Sequence, residues 1–331
     1  MSSPFVSVVT PFHNTARWLP ACIESVLGQT FTDFEYILVD NASTDGGGEI
    51  AGRYALRDPR IRLISTDRLL PQVENYNFAL RQIAGEARYC KLAQADDWLY
   101  PAFIDACVGA AERQPDIDLV SCFVHWNASV VPAGLEVDRQ VLSGRDACRM
   151  FFCHDTYLFG SPTAQFWRAD VVRRRARFYD PAMAPFEDAD VCFEVLDGRS
   201  FAFVHQVLCF SRREEGSILD RLVGSGWPQA HRLATLMRWG HRYLSDAEFE
   251  TLRATLWRDY RRVLAAAKLR RRNPEFDEFH AQMMRAGRME TAADNLLMPV
   301  LALLMDRLGN PKRAIESLLE RTERSKSGAS R

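Results

Sequence analysis

The stretch Lys91-Leu92-Ala93-Gln94-Ala95-Asp96-Asp97-Trp98-Leu99-Tyr100-Pro101 decides the fold. It reads as the end of a β-strand that runs straight into two adjacent carboxylates. An aromatic residue and a proline then stop the strand and start a helix. Two carboxylates at a strand's carboxyl end are badly suited to a core, because burying unpaired charge is costly. They suit a divalent cation, which takes hard oxygen ligands and a substrate's phosphates in one shell. They also suit a solvated turn in which Asp96 or Asp97 caps the helix that begins near Pro101. Both readings are open from this stretch alone.

Upstream, short β-branched runs alternate with helical spacing. Phe5–Thr10, ended by Pro11, reads as a buried strand, and apolar residues from Trp18 to Leu27 recur at helical intervals. Phe34–Val39 is a second strand leading into Asp40-Asn41-Ala42-Ser43-Thr44-Asp45-Gly46. Gly46-Gly47-Gly48 reads as a turn into a helix over 48–56. Ile61–Ser65 is a third strand, Val73–Ile83 a helix, and Ala87–Leu92 a fourth strand. This alternation predicts a parallel sheet covered on both faces, with ligands beyond the strand carboxyl ends. His13-Asn14, Asp40-Asn41 and Asp96-Asp97 would then share one rim. No Gly-X-Gly-X-X-Gly follows the first strand and no phosphate loop occurs, so a nucleotide here would be held by side chains and a metal.

Downstream, a helix over 104–113 leads to a strand at 118–125. Phe159-Gly160-Ser161-Pro162-Thr163 is a turn before the strand Ala164–Arg168, and Arg173–Arg177 reads as a solvated basic helix face. Glu187, Asp188 and Asp190 lie in the first turn of a helix, where acidic residues are favoured by the dipole whether or not they react. His205, inside the strand 200–210, reads as a satisfied core residue, and Trp98 as packing under the site. Arg212-Arg213-Glu214-Glu215-Gly216-Ser217 is a charged loop.

The 331 residues suffice for one large domain or two modest ones, and 47% hydrophobic with 26% charged residues is ordinary for a soluble globular protein. A formal charge of -1 argues against a general nucleic-acid binder. Residues 1–227 hold 22 Lys+Arg against 30 Asp+Glu, whereas 228–331 hold 20 against 13. The eight cysteines form no Cys-X-X-Cys pair, and the opening residues show no signal-peptide pattern, so buried reduced thiols in a cytoplasmic protein are expected.

Taken together, Val6-Ser7-Val8-Val9-Thr10-Pro11-Phe12-His13-Asn14, Ile37-Leu38-Val39-Asp40-Asn41-Ala42-Ser43-Thr44-Asp45-Gly46, Gln94-Ala95-Asp96-Asp97-Trp98 and Glu187-Asp188 resemble the family 2 glycosyltransferases. The resemblance covers about residues 4–220. It implies the GT-A fold, a Rossmann-like mixed sheet flanked by helices. It also implies transfer of a sugar, with inversion, from a nucleotide diphosphate (UDP is favoured) to a glycan, lipid-linked or other glycoconjugate hydroxyl. The residues it places at the donor are Thr10, Pro11, His13, Asn14, Asp40, Asn41, Ser43, Asn77, Lys91, Asp96, Asp97, Glu187 and Arg212. Asp188 matches the catalytic base. Asp96 matches the ligand of a Mn²⁺ or Mg²⁺ ion. Gln94 replaces the first Asp of the family's Asp-X-Asp motif, and Glu214 stands where the family has a histidine and remains a candidate metal ligand. Two alternatives are a nucleotidyltransferase of similar fold, which would want a glycine- and lysine-rich first loop, and a non-catalytic nucleotide-sugar or glycan binder, which the Gln94 and Glu214 departures would suit.

The domain expectation is a catalytic domain at 1–227, a helical extension at 228–324 and a disordered tail at 325–331. Helices are expected at 228–243, 246–270, 275–287, 290–307 and 311–323, with a start signal at Ser245-Asp246-Ala247-Glu248. Trp257, Tyr260, Val263, Leu264 and Ala267 share one helical face and the arginines lie off it. Two readings are open: peripheral docking on the inner face of an anionic membrane or on a lipid-linked acceptor, and a helix whose basic face is in water.

Overall fold

The computed structural model describes residues 4–126, 128–132, 135–212, 226–268 and 274–289. The expected helices at 290–307 and 311–323, the tail at 325–331 and Glu214 lie outside the described residues. The chain divides into two compact units, Met1–Arg221 with Trp239–Leu244, and Leu222–Arg238 with Ser245–Arg331.

In the first unit the elements alternate as the sequence predicts: β1 (Val6–Phe12), α1 (Leu19–Leu27), β2 (Phe34–Asp40), α2 (Gly47–Ala55), β3 (Ile61–Ser65), α3 (Gln72–Leu80) and β4 (Tyr89–Leu92). Every residue of β1 and β4 is buried, which is why these strands read as largely apolar runs broken only by Ser7, Thr10 and Lys91. There follow β5 (Trp98–Leu99), α4 (Phe103–Ala111), β6 (Ile117–Trp126), β7 (Ser129–Val131), β8 (Val141–Ser143), α5 (Gly144–His154), β9 (Phe166–Arg168), α6 (Ala169–Arg173), α7 (Glu187–Val195) and β10 (Ser200–Ser211).

The main strand order is β3-β2-β1-β4-β9-β6-β10-β5. Only the first four are parallel throughout. β9 runs antiparallel to both β4 and β6, so the sheet is mixed, not parallel as the strand–helix alternation alone implied. This three-residue strand matters for the site. It is entered from the Gly160–Gln165 segment, which is therefore laid beside the carboxyl end of β4. Gly160 enables the turn: its φ is +68°, and a Cβ there would lie 2.6 Å from that of Ala164.

The basic run is not simply solvated. Arg173 donates to the carbonyls of Ala84 and Ala87 (3.1 and 2.8 Å), bracing the approach to β4, and Arg175 pairs with Glu194 at 3.4 Å. His205 packs against the rings of Phe123 and Phe203, but neither ring nitrogen finds a hydrogen-bond partner among the described residues, contrary to the expected satisfied histidine. Trp98 stacks flat on Phe210 at 3.9 Å, as packing. Seven cysteines are buried, Cys153 is exposed, and all eight are free thiols.

Helix α8 (Trp227–Tyr243) ends in the first unit. There its last turns hold α7: the Trp239 indole donates to Asp190 at 2.6 Å, and the Tyr243 hydroxyl donates to the Phe193 carbonyl. In the second unit, α9 (Asp246–Lys268) starts on a capping box. Ser245 Oγ accepts from the Glu248 N–H and Glu248 Oε2 accepts from the Ser245 N–H, at 3.4 and 2.9 Å. Tyr260 is fully buried and its hydroxyl meets His280 of α10 (Pro274–Ala286) at 2.9 Å, while Arg258, Arg261 and Arg262 are exposed. No helix among the described residues is long and apolar enough to cross a membrane.

Candidate functional site

The first rim is made by the loops after β1 and β2, which lock into one another. Asn41 N–H donates to the Phe12 carbonyl (2.8 Å), Asn14 N–H to Ser43 Oγ (3.1 Å), Thr44 N–H to Asn14 Oδ1 (2.8 Å) and Ala16 N–H to Asp45 Oδ2 (2.7 Å). Asn14 and Ala42 take left-handed φ values of 52° and 56° to make the lock. Such a conformation suits Asn but strains Ala. His13 Nδ1 lies 2.8 Å from the Asn41 carbonyl, which can only accept, so Nδ1 carries the proton and Nε2 accepts from Asn14 Nδ2 at 3.2 Å. Asp40 ends β2 with Oδ1 accepting from Ser43 N–H at 2.9 Å. Its Oδ2 lies so near the start of α2 that a Cβ on Gly48 would sit 2.6 Å away. The glycine thus lets a carboxylate lie against a helix amino end, where the dipole favours it.

The second element is the acid pair after β4. Asp97 is buried: Oδ1 accepts the Arg212 main-chain N–H at 2.7 Å, and Oδ2 accepts Thr163 Oγ1 at 2.5 Å. Helix α4 begins only at Phe103 and has no side-chain cap, so the helix-cap reading of Asp96 or Asp97 fails. Burial and the charge of Asp96 push Asp97 up to about 7, against the donations from Thr163, Arg212 and Ser211. Asp96 is half-buried, and its carbonyl accepts Arg212 Nε at 3.2 Å. The Arg212 guanidinium lies 3.6 Å over the Trp18 ring. Gln94 bridges Thr163 Oγ1 (3.1 Å) and the Tyr76 hydroxyl (3.3 Å).

The third element is the first turn of α7. Asp188 is half-buried, and burial together with the charge of Glu187 pushes its carboxyl up to about 8. Glu187 is buried and raised chiefly by desolvation, and its Oε2 has no partner among the described residues.

Two links join the acid pair to α7. The segment 162–165 offers Thr163 to Asp97 and, two residues on, Gln165 Nε2 to the Asp188 carbonyl at 3.2 Å. Tyr76 lies within electrostatic reach of both Glu187 and Asp96, whose charges add to the rise that burial causes in its phenol. Tyr179 packs edge-on to Tyr76 at 6.1 Å, and burial, then the charge of Asp188, raise its own phenol.

Four expected donor-contacting residues instead have their side chains committed inside the protein. Thr10 is fully buried, with its hydroxyl on that of Tyr36 at 3.0 Å. The Asn41 amide holds Leu70 through both its N–H and its carbonyl, at 2.8 and 2.9 Å. The Asn77 amide holds Phe178 N–H, Tyr179 N–H and the Tyr179 carbonyl, at 3.0, 2.8 and 2.8 Å. Lys91 is fully buried and donates to the carbonyls of Pro162, Thr163 and Gln165. Pro11 is a buried residue of β1. Thr10, Asn41, Asn77 and Lys91 thus use their side chains inside the protein: a polar side chain near a strand end can tie loops as well as meet a ligand. The sequence reading passed over Thr163, Gln165, Tyr76 and Tyr179. One signal was available for Gln165, a glutamine inside an otherwise apolar strand pattern.

The donor set fits a hard cation. Mg²⁺ and Mn²⁺ commonly take one or two carboxylates and complete the shell with substrate phosphates and water. No group of three His, Cys, Asp or Glu among the described residues could hold a metal alone. Asp96 would therefore be joined by oxygens of a bound diphosphate.

Comparison with known proteins bears on the sequence family and the fold. Residues 7–162 match the model of Glycosyl transferase family 2. The uncharacterized glycosyltransferase EpsJ of Bacillus subtilis is 29% identical over 191 residues, 56% of this chain and 54% of that protein. The chondroitin synthase of Escherichia coli is 24% identical over 214 residues, 63% of this chain and 29% of the synthase. The matched part thus spans about half of EpsJ and less than a third of the synthase. In fold, the S. aureus TarS 1–349 structure in complex with UDP superposes with a TM-score of 0.60 at 14% identity, covering 85% of this chain and 80% of that one. The mannosyltransferase PcManGT from Pyrobaculum calidifontis, in complex with GDP-Man and Mn2+, gives a TM-score of 0.50 at 18% identity over 96% and 84%. Residues 7–162 thus resemble the family 2 glycosyltransferases, and the chain has the GT-A fold of these solved structures.

Proposed function

We propose that this protein is an inverting glycosyltransferase that moves a sugar from a UDP-linked donor to a hydroxyl of a glycan or glycoconjugate. The observation that carries the reading is the link between the acid pair and Asp188 through one four-residue segment, Pro162–Gln165. Donor and acceptor chemistry have to meet within a few ångströms, and that tie supports such a meeting. TarS has been crystallised with UDP and with UDP-GlcNAc, which favours uridine for the donor here.

In this reading the nucleoside lies on the interlocked loops, with Asp40 and His13 as its polar contacts. The part given to Asn41 passes to its main chain, since its amide holds Leu70. The diphosphate lies toward Asp96 and Arg212. A Mn²⁺ or Mg²⁺ ion on Asp96 supplies charge that offsets the negative charge growing on the leaving diphosphate. Arg212 is anchored by its N–H, its Nε and the Trp18 face, and so is held ready for phosphate oxygens. Asp188 removes the proton of the acceptor hydroxyl while that oxygen bonds to the anomeric carbon and the sugar–phosphate bond breaks. A carboxyl raised to about 8 is a stronger base than an ordinary aspartate. Placement on an anionic membrane through the basic face of α9 belongs to the same reading and rests on the exposed Arg258, Arg261 and Arg262.

The test is a panel of UDP- and GDP-sugars, scored by thermal shift and by release of free nucleotide, with and without Mn²⁺. One donor should raise the melting temperature and be hydrolysed or transferred only with the metal. No hydrolysis of any donor that binds would indicate a binding protein instead. That alternative draws on Gln94, which stands at the family's first Asp and is held by Thr163 and Tyr76.

A further inference from the structure

Lys91 is the most buried charge in the first unit that the proposed chemistry does not use. It lies in β4 with no exposed surface. Its ammonium donates to the carbonyls of Pro162 at 2.7 Å, of Thr163, and of Gln165 at 3.2 Å, and sits 4.8 Å from the Phe103 ring centre. Burying an ammonium is expensive, and an apolar side chain of like length would pack here at less cost. Three carbonyl dipoles aimed at one point would repel one another without a cation among them. The lysine therefore sets a shape that the backbone alone would not hold.

That shape is the segment joining the two acid groups. Thr163 donates to Asp97 Oδ2 at 2.5 Å, and its hydroxyl also lies 3.1 Å from Gln94 Oε1. Gln165 is fully buried, and its Nε2 lies 3.2 Å from the Asp188 carbonyl, 3.1 Å from that of Gly160 and 3.5 Å from Cys192 Sγ. One ammonium thus grips the main chain at both residues, and the two side chains reach in different directions to the two halves of the site.

We propose that Lys91 is a positioning residue for the transfer reaction: it touches neither donor nor acceptor, and it fixes the separation between the Asp96–Asp97 pair and Asp188. The proposal rests on Asp188 being the base. It assigns separable duties to the two arms. The Thr163 arm sets the donor side and the Gln165 arm sets the base side.

The experiment compares Lys91→Met, Thr163→Val and Gln165→Leu in the full chain. UDP affinity with Mn²⁺ is measured by calorimetry, and kcat and KM are measured with the donor selected by the panel. Misplacing a catalytic group by about 1 Å costs on the order of 10²-fold. Gln165→Leu should therefore lower kcat about 10²-fold with UDP affinity within about threefold of wild type. Thr163→Val should weaken UDP binding in Mn²⁺ about tenfold, the loss of a hydrogen bond to a buried carboxylate. Lys91→Met should show both effects, and adding Gln165→Leu to it should cost little more, because the two act through one path. If Lys91→Met does not fold, the split between the other two variants still decides. A folded Lys91→Met with wild-type kcat and affinity would overturn the proposal, as would equal kcat and affinity losses in both arm variants. Asp188→Asn is run alongside. If it stays active, the base assignment itself fails. If it is inactive while Lys91→Met and Gln165→Leu behave as wild type, only the positioning role fails.

Discussion

Replacing Asp188 by asparagine should act in two opposite directions. Burial and the neighbouring Glu187 raise its carboxyl from 3.8 to about 8. The native protein then keeps a proton that the unfolded chain releases between those two values. Wild-type stability from this group is fully present below pH 3.8 and is lost as pH rises toward about 8. At pH 7 the gap to the unfolded value is about three pH units, which sets a ceiling of about 4 kcal/mol. The half-buried position and the charge shared with Glu187 bring the expected penalty nearer 1–2 kcal/mol, roughly. Asparagine carries no such penalty, so Asp188→Asn should melt about 2–8 °C higher at pH 7. The gain should fade as the pH drops to about 4. Turnover should fall about 10²–10⁴-fold, the usual contribution of a general base. Scanning calorimetry from about pH 4 to 8, paired with transfer rates, reads both signs. A variant that is inactive yet less stable at pH 7 would show Asp188 to be a structural carboxylate, and the base reasoning would fall.

Three further changes test neighbouring parts of the site. Glu187→Gln removes the charge that helps to raise Asp188, so the rising, acidic limb of the rate profile, set by loss of the Asp188 proton and expected near pH 8, should move to lower pH; an unmoved limb would mean that burial alone sets it. Gln94→Asp adds a carboxylate beside Asp96 and Asp97, so the melting temperature without metal should drop at about pH 8 and recover with Mn²⁺. A metal-independent melting temperature in that variant would remove Asp96 from the cation site. Gly48→Ala puts a Cβ 2.6 Å from Asp40 Oδ2 and should push that carboxylate off the amino end of α2. UDP affinity should fall about tenfold while the fold loses only about 1 kcal/mol; unchanged calorimetric affinity would remove Asp40 from the donor site.

The architecture was legible because parallel strands buried on both faces leave an unmistakable apolar pattern, and because strand ends marked by Asn14, Asp40 and Asp96 share a rim. The pattern failed at β9. Three residues carry no periodicity, and only the pairing of Cys90 and Leu119 with Trp167 shows that this strand is inserted antiparallel. The site was legible in the identity of its acids and less so in the duties of its neutral residues. Asn41 and Asp40 are adjacent and both polar. Asn41 uses its amide on Leu70, while Asp40 Oδ2 lies against the start of α2. Nothing in residue type separates a group that holds a loop from one that meets a ligand; the difference lies in which backbone groups the loop leaves to be satisfied. Asn77 and Lys91 belong with Asn41 for the same reason.

The cluster poses an electrostatic problem whose solution points outward. Asp97, Glu187 and Asp188 are all raised, so in the folded protein their protons are held by burial, helped by the charge of Asp96 at Asp97 and of Glu187 at Asp188. A sequence selected only for stability would replace such acids by neutral side chains of similar volume. Lys91 lies close enough to feel the charge of Asp97, yet its three donors go to main-chain carbonyls. The buried cation serves geometry, and the carboxylates are left to be balanced by what binds. A ligand that brings its own positive charge gains most where that balance is missing. UDP should therefore bind far more tightly with Mn²⁺ than without it, and the advantage should grow with pH as the acids lose their protons. An affinity for UDP equal with and without metal across that range would mean that the protons, rather than a cation, are the partners these three acids were built to hold.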